Sequence, residues 1–493
     1  MSNVKRREVL AGLAAIAVSG FDTAKMAWVS EASASSDGLP RLDGRLVFDP
    51  AVRASKSTDV GNIVKETPFA VLQPGSVKDV AEMVKYCAKR NIKVAARGQG
   101  HTTFGQSLVG GGLSVDMSYL SEIHSIDRDR AEVGAGLRWR ELVETTTPLG
   151  LAPPVLTGYI GLSIGGTLSV GGISSGNRRG AQVDHVLELE VVTGEGKIVR
   201  CSKSKNSDLF EAALAGLGQS GIITRAVIEL VKRPPLTRTY ALMYVDNATF
   251  FADQRTLLDR EEFDDIFTLF FPDGAGGWLY QLNAVKYYDA AHPPDDARLL
   301  RGLTPLPGTT TQDTSFLDYA TRVDTVIAFF AQIGLWEGVL HPWFDVFLPG
   351  DVTEEYVGDV LPTLTPDDVG AAGFMLLFPL RRSAFHRRFL RLPDGGHGHG
   401  QGCSTDEYVF LFDILTAAPA PGPNPEFAAQ MLERNRVLFD AAADVGGYRY
   451  PIGSLEFSKQ DWKRHYGDQY AAFRSAKQKF DPKGILTPGP GIF

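Results

Sequence analysis

The chain has 493 residues, with 50 basic and 58 acidic side chains, a net charge of −8, 44% hydrophobic residues and 22% charged ones. At roughly 100 to 200 residues per domain this length holds two or three domains with full cores, and the composition excludes wholesale disorder and a nucleic-acid surface built on excess positive charge. The 52 glycines cluster between residues 98 and 221 without a fixed period, which excludes collagen and points to loops that present bare backbone.

In chain order, Lys5-Arg6-Arg7 precede an apolar run from Val9 to about Val18, and Ala32-Ser33-Ala34 supplies an A-x-A-like cleavage site. Residues 1–34 therefore read as an export signal, and the paired arginines favour the twin-arginine route, which carries folded proteins and suits a cofactor loaded before export. The run is far short of the roughly 20 residues that cross a bilayer, so no stable membrane anchor is expected. After an N-terminal arm over 35–63, Phe69-Ala70-Val71-Leu72-Gln73 predicts a strand, Pro74-Gly75 a turn and Ser76 a helix N-cap. Val77, Val80, Met83, Val84 and Cys87 then form a helical stripe. A strand from Lys93 to Ala96 runs into Arg97-Gly98-Gln99-Gly100-His101-Thr102-Thr103-Phe104-Gly105-Gln106, too rich in glycine for a helix.

The strand Leu113 to Asp116 and a short helix from Trp139 to Thr145 lead to a second glycine loop, Gly161 to Ile173, then to a strand from Val186 to Thr193 and a hairpin at Gly194-Glu195-Gly196. Gly216-Leu217-Gly218-Gln219-Ser220-Gly221 spells G-x-G-x-x-G, but a helical stretch precedes it and a strand follows. That is the reverse of the nicotinamide-binding order, so the motif reads as a closely packed helix-to-strand turn. Pro234-Pro235 marks a boundary. Beyond it lie amphipathic helices over 317–333 and 427–443, aromatic strands over 266–271 and 408–412, and a low-complexity loop over 395–402 expected to be mobile. Cys87, Cys201 and Cys403 are too few for a disulfide framework and lack zinc-site spacing.

The chemistry-bearing features are the two glycine loops, whose N–H groups can cradle a diphosphate, and His101, set inside the first of them with little apolar wall to pack against. The run from Arg97 to Gln106 resembles the histidyl-FAD attachment loop of the vanillyl-alcohol-oxidase superfamily. Farther on, the chain resembles the cytokinin dehydrogenase family in Leu162 to Ser175, in Val186 to Gly194, in Leu217 to Ala226, in His341-Pro342-Trp343-Phe344-Asp345 to Pro349, in Asp461 to Gly467 and in Phe480 to Gly489. The resemblance runs in order over residues 64–493.

It implies an α+β flavoprotein whose PCMH-type FAD-binding domain is split over 64–236 and 448–493, with an α+β substrate-capping domain inserted at 237–447. It also implies FAD bonded covalently through His101. Gly98, Gln99, Gly100, Thr102 and Gln106 would lie along the pyrophosphate and ribityl path, Ser163, Thr167, Ser169 and Ile173 around the rest of the flavin, and Ile223 near the adenine. The partners implied are a small-molecule substrate, and oxygen or another electron acceptor. The activity implied is dehydrogenation of a small amine or alcohol by hydride transfer to flavin N5.

Two departures bear on the substrate. Where the family carries an aspartate that accepts the substrate's proton, this chain has Gly158 in Leu156-Thr157-Gly158-Tyr159-Ile160, and the partner glutamate aligns with Phe267. Tyr159 is left as the candidate for a compensating hydrogen bond, and an efficient cytokinin dehydrogenase is not expected. A family glutamine near the C-terminus is Pro490. Two alternatives stay open: a true cytokinin dehydrogenase with a different acid or base, and a flavin-holding binding or redox-carrier protein without turnover.

Overall fold

The structure, a computed structural model, describes residues 18–22, 27–30, 38–173, 175–393 and 407–493. Most of the expected export signal, the loop over 395–402 and Cys403 lie outside the described residues. The stretch from residue 70 to 116 alternates apolar strands with one amphipathic helix and folds as a small α/β layer. Ser76 caps the helix Val77–Arg90 by accepting from the Asp79 N–H at 3.4 Å, and Asn91 ends it at φ 55°. Val80, Met83, Val84 and Cys87 are fully buried beneath it. In space the sheet runs Arg45–Val47, Ala70–Gln73, Leu113–Asp116, Val94–Arg97, and its last three strands are parallel, as a crossover helix allows.

An antiparallel sheet follows, in the order Ile198–Ser202, Val186–Val192, Ile222–Glu229, Arg130–Gly134, Ile123–Ile126. One hydrophobic core joins the two sheets. The end of the chain returns to the first of them: the Val94 N–H donates to the Ile485 carbonyl at 2.9 Å and the Thr487 N–H to the Val94 carbonyl at 2.8 Å.

Two elements differ from the sequence reading. The second glycine-rich segment is not loop throughout, because Ile164–Val170 forms a helix with Ile164 and Leu168 fully buried. Its glycines serve close approach instead: a Cβ on Gly165 would lie 2.8 Å from the Ala135 Cβ. The helix expected over 317–333 is broken at Thr321 into Phe316–Ala320 and Arg322–Gln332. The Thr321 hydroxyl donates to the Leu317 carbonyl at 2.9 Å, a side-chain bond of the kind that bends helices.

The third sheet has eight strands, ordered Thr310–Ser315, Leu236–Tyr244, Trp278–Tyr288, Asp265–Pro272, Phe374–Arg381, Tyr408–Leu415, Phe344–Pro349, Tyr448–Arg449, with every neighbouring pair antiparallel. Side chains on a strand alternate between faces, and here the alternation divides labour. Ile266, Phe270, Met375, Leu377, Phe410, Phe412, Ile414, Phe344 and Val346 form an aromatic-rich core on one face, where Phe250 and Phe251 of the helix Asn247–Arg260 and Tyr356 of the helix Thr353–Val360 join them. Phe267, Leu269, Phe374, Leu376, Phe378, Leu411, Asp413, Leu415 and Asp345 take the opposite face and line a cavity. Among the described residues no helix is long and apolar enough to cross a membrane.

Candidate functional site

That cavity holds about 740 Å³, within the range of small-molecule and cofactor sites. It lies between the inner face of the eight-stranded sheet and the glycine segments of the other two. His101, Gly98, Gln99, Gly100, Thr102, Gln106, Tyr159, Ser163, Thr167, Ser169, Ile173 and Ile223 all stand on its wall, as do Gly158, Phe267 and Pro490.

The first loop is built by exclusion of side chains. Gly100 has φ 67°, and the Arg97 guanidinium occupies the place a Cβ would take; at Gly98 the Ser163 hydroxyl does the same, which locks the two glycine segments together. Beneath the loop, Asp59 accepts from the Thr102 hydroxyl at 2.8 Å and the Gly105 N–H at 2.7 Å. Burial pushes its carboxyl up to about 6. Gln106 is spent on the chain itself: its Oε1 accepts from the Phe104 N–H, and its Nε2 donates to the Ile452 and Gly453 carbonyls. Thr102 and Gln106 therefore hold the loop's shape with their polar atoms.

The wall around His101 is aromatic, contrary to the sparse packing expected from its glycine and hydroxyl neighbours. The Tyr159, Trp343 and Trp336 rings have centroids 5.0, 5.3 and 6.1 Å away. His101 is half-buried, with its open edge toward the cavity. Its surroundings push its pKa down to about 3, chiefly by desolvation and secondly through His341, so the ring is neutral at physiological pH. A neutral imidazole has a nitrogen lone pair, as a bond to carbon requires.

The second segment presents bare backbone at Gly165, Gly166 and Gly172. Here too the hydroxyls are engaged. Thr167 accepts from the Trp139 Nε1–H at 2.7 Å and donates to the Ile164 carbonyl, and Ser169 donates to the Gly165 carbonyl at 2.7 Å. The G-x-G-x-x-G turn follows the helix Ser207–Ala213 and precedes the strand Ile222–Glu229. It also clasps the returning chain end, since the Thr487 hydroxyl donates to the Gly218 carbonyl at 3.0 Å and Gln219 Nε2 donates to the Thr487 carbonyl at 2.8 Å. Tyr159 packs against the cluster of Ile327, Trp336 and Trp343. Its phenol pKa is raised by burial and then by Asp324, and neither effect favours a base.

Sequence reading missed the acids of the cavity. Asp345 and Asp413 face each other across adjacent strands, and both line the cavity at 4% and 5% exposure. Among the described residues, both Asp345 oxygens and Asp413 Oδ1 are buried without a hydrogen-bond partner, and two buried carboxyls facing each other hold one proton between them more readily than two charges. Burial pushes Asp345 up to about 7 and Asp413 well above the carboxylate range. Arg449, itself buried, donates to the Gly453 carbonyl at 3.0 Å, and its charge draws Asp345 partly back down. The signal was present: an acid at a cavity-facing position of the otherwise apolar strand Phe410-Leu411-Phe412-Asp413-Ile414-Leu415.

A wall of bare glycine backbone, an aromatic enclosure around one neutral histidine and a cavity of this size fit a dinucleotide with a flat ring system. A family model described as an FAD binding domain matches residues 68–202, and one described as cytokinin dehydrogenase 1, FAD and cytokinin binding, matches residues 241–493. The chain belongs to the cytokinin dehydrogenase family. It is an FAD-dependent oxidoreductase.

Cytokinin dehydrogenase 2 of Arabidopsis thaliana is 32% identical, over 92% of this chain and 95% of that protein. Cytokinin dehydrogenase 3 of Oryza sativa subsp. japonica is 34% identical, over 89% of each. An uncharacterized oxidoreductase, ORF5 of the fasciation locus of Rhodococcoides fascians, is 34% identical over 88% of this chain and 96% of its own length.

Proposed function

We propose that this family member dehydrogenates a small molecule at a carbon bearing nitrogen or oxygen, in the cavity between the glycine segments and the eight-stranded sheet. The observation that carries the reading is His101, neutral and enclosed by aromatic rings beside bare-backbone loops. FAD, when bound, supplies the hydride acceptor, and oxygen or another acceptor takes the electrons onward. Gly98, Gly100, Gly165, Gly166 and Gly172 give its diphosphate and ribityl chain close backbone approach, and His101 is the attachment point. The FAD-binding domain is composed of 64–236 with 448–493, and 237–447 caps it; the bonds from Ile485 and Thr487 to Val94 support that division.

Asp345 and Asp413 are the groups placed to take the substrate's proton, because the shared proton leaves one carboxylate able to accept another. Gly158 offers no acceptor and Phe267 an apolar wall, so cytokinins are poor substrates in this reading. Cytokinin dehydrogenase activity with Asp345 as the substitute acid is the second reading, favoured by the names of the relatives.

The colour of the purified protein tests attachment. Wild-type protein should stay yellow through acid precipitation, and His101→Ala should release its flavin or emerge as apoprotein; flavin lost from denatured wild type refutes the covalent bond. Export by the twin-arginine route is the accompanying proposal, resting on Arg6-Arg7 and the short apolar run. Replacing both arginines with lysine should trap folded, flavin-loaded precursor in the cytoplasm, and export of that variant at the wild-type rate refutes the route.

A further inference from the structure

One end of the cavity carries a cation without an acid. Arg322 stands at the break between two helices, half-buried, and lines the cavity. Its guanidinium lies 4.0 Å from the centre of the Tyr319 ring and 5.2 Å from that of Phe267, and one of its nitrogens donates to the Tyr319 carbonyl at 2.7 Å. Among the described residues no carboxylate oxygen lies within 4.0 Å of it. A guanidinium carries five N–H donors in a planar fork, so most of this one is unused.

The neighbouring acids are committed elsewhere. Asp265 accepts from the Tyr287 and Tyr319 hydroxyls, Asp324 from the Ile160 N–H, and Asp318 is exposed and accepts from the Ser315 hydroxyl. Asp318 also lines the cavity, and the other residues named at this end are uncharged. Phe267 lies under the guanidinium, and Gly158 borders the same helix start, its missing Cβ being 3.9 Å from Val323 Cγ2. Thr239, Asn283 and Gln312 add neutral polar groups on the adjoining strands, and Phe374 and Phe378 add apolar wall.

We propose that this end of the cavity binds a carboxylate of the substrate, gripped by the Arg322 guanidinium, and that the substrate is an aromatic or heteroaromatic acid and not a cationic amine. The inference rests on the cavity being the dehydrogenation site and names the substrate class of that site. A carboxylate matches the fork with two parallel hydrogen bonds, and the flat apolar walls beside it suit an aromatic ring. A protonated amine would meet an uncompensated positive charge in a partly desolvated pocket.

The test is binding to oxidised holoprotein, read from the flavin absorbance and the Trp336 and Trp343 fluorescence, with benzoate, benzamide and benzylammonium as probes of one shape and three charges. Benzoate should bind at least about tenfold more tightly than benzamide, as hydrogen bonds to charged groups allow, and benzylammonium should bind most weakly. Arg322→Gln should erase the preference for benzoate and leave benzamide within about twofold. Should that variant lose its fold, as judged by circular dichroism and flavin retention, Phe267→Glu decides instead: it supplies Arg322 with an internal acid and should weaken benzoate by at least about tenfold. Equal binding of benzoate and benzamide to wild type, or benzoate binding unmoved in the variant that folds, overturns the proposal. Because nothing is turned over, the outcome is separable from the dehydrogenase reading, which fails if no amine, alcohol or hydroxy acid bleaches the flavin anaerobically.

Discussion

Gly100→Val is expected to emerge from purification with most of its flavin missing. The φ of 67° at this position is one that a β-branched residue adopts only at a cost, about 1–3 kcal/mol for a strained non-glycine residue. The larger penalty is steric, because the Arg97 guanidinium fills the direction a Cβ would take. Arg97 cannot withdraw freely: it is buried, and its charge faces Asp59 and Asp116. The loop must therefore move, and with it His101 next door. Gly111→Val separates strain from position, since Gly111 has nearly the same φ, 65°, with nothing within 4 Å of its missing Cβ. The ratio of flavin to protein absorbance should collapse in the first variant and hold in the second; equal ratios would mean that the first loop does not form the flavin cradle.

This contrast shows where the sequence was legible. Glycine density and a histidine between glycines pointed to the loop, because only glycine tolerates both the positive φ and the close approach. Aromatic-rich apolar runs exposed the strands over 266–271 and 408–412, and a Ser N-cap with a clean apolar stripe fixed the helix from Val77. The helix Ile164–Val170 was hidden because three of its seven residues, Gly165, Gly166 and Ser169, are small, and glycine used for packing looks in sequence like glycine used for a turn. Thr102, Gln106, Thr167 and Ser169 were legible as wall residues, but nothing local told that their polar atoms are taken up by Asp59, Ile452, Ile164 and Gly165. The Asp345–Asp413 pair and the lone Arg322 depend on strand register and on a helix break, long-range features that a single sequence does not spell out.

Asp345→Asn is expected to slow flavin reduction by about 10² to 10⁴-fold, the usual contribution of a positioned proton acceptor, and to remove one limb of its pH dependence. In wild type the ionised carboxylate accepts the proton. With Asp345 pushed up to about 7 by burial, the rate of reduction should rise as pH approaches 7 and level off above it. Stability should move the other way. An aspartate ionises near 3.9 in the unfolded chain, so between about 4 and 7 the folded state binds the extra proton, and stability falls as pH rises through that window. The groups that bear on this titration are Asp413 across the strand pair and the Arg449 guanidinium, both of which draw Asp345 back down against the effect of burial. Arg449 is pulled down to about 10 by burial and stays charged throughout. Asparagine keeps the shape, which matters because Asp345 Oδ2 lies 2.5 Å from where a Cβ on Gly453 would sit, and its amide can donate to Asp413. The variant should therefore be less sensitive than wild type in melting temperature between pH 5 and 8 while losing the rise in reduction rate. A stopped-flow profile that keeps its rise in Asp345→Asn would assign the proton to another group, and an unchanged melting profile would mean that Asp345 is ionised at every pH in the range.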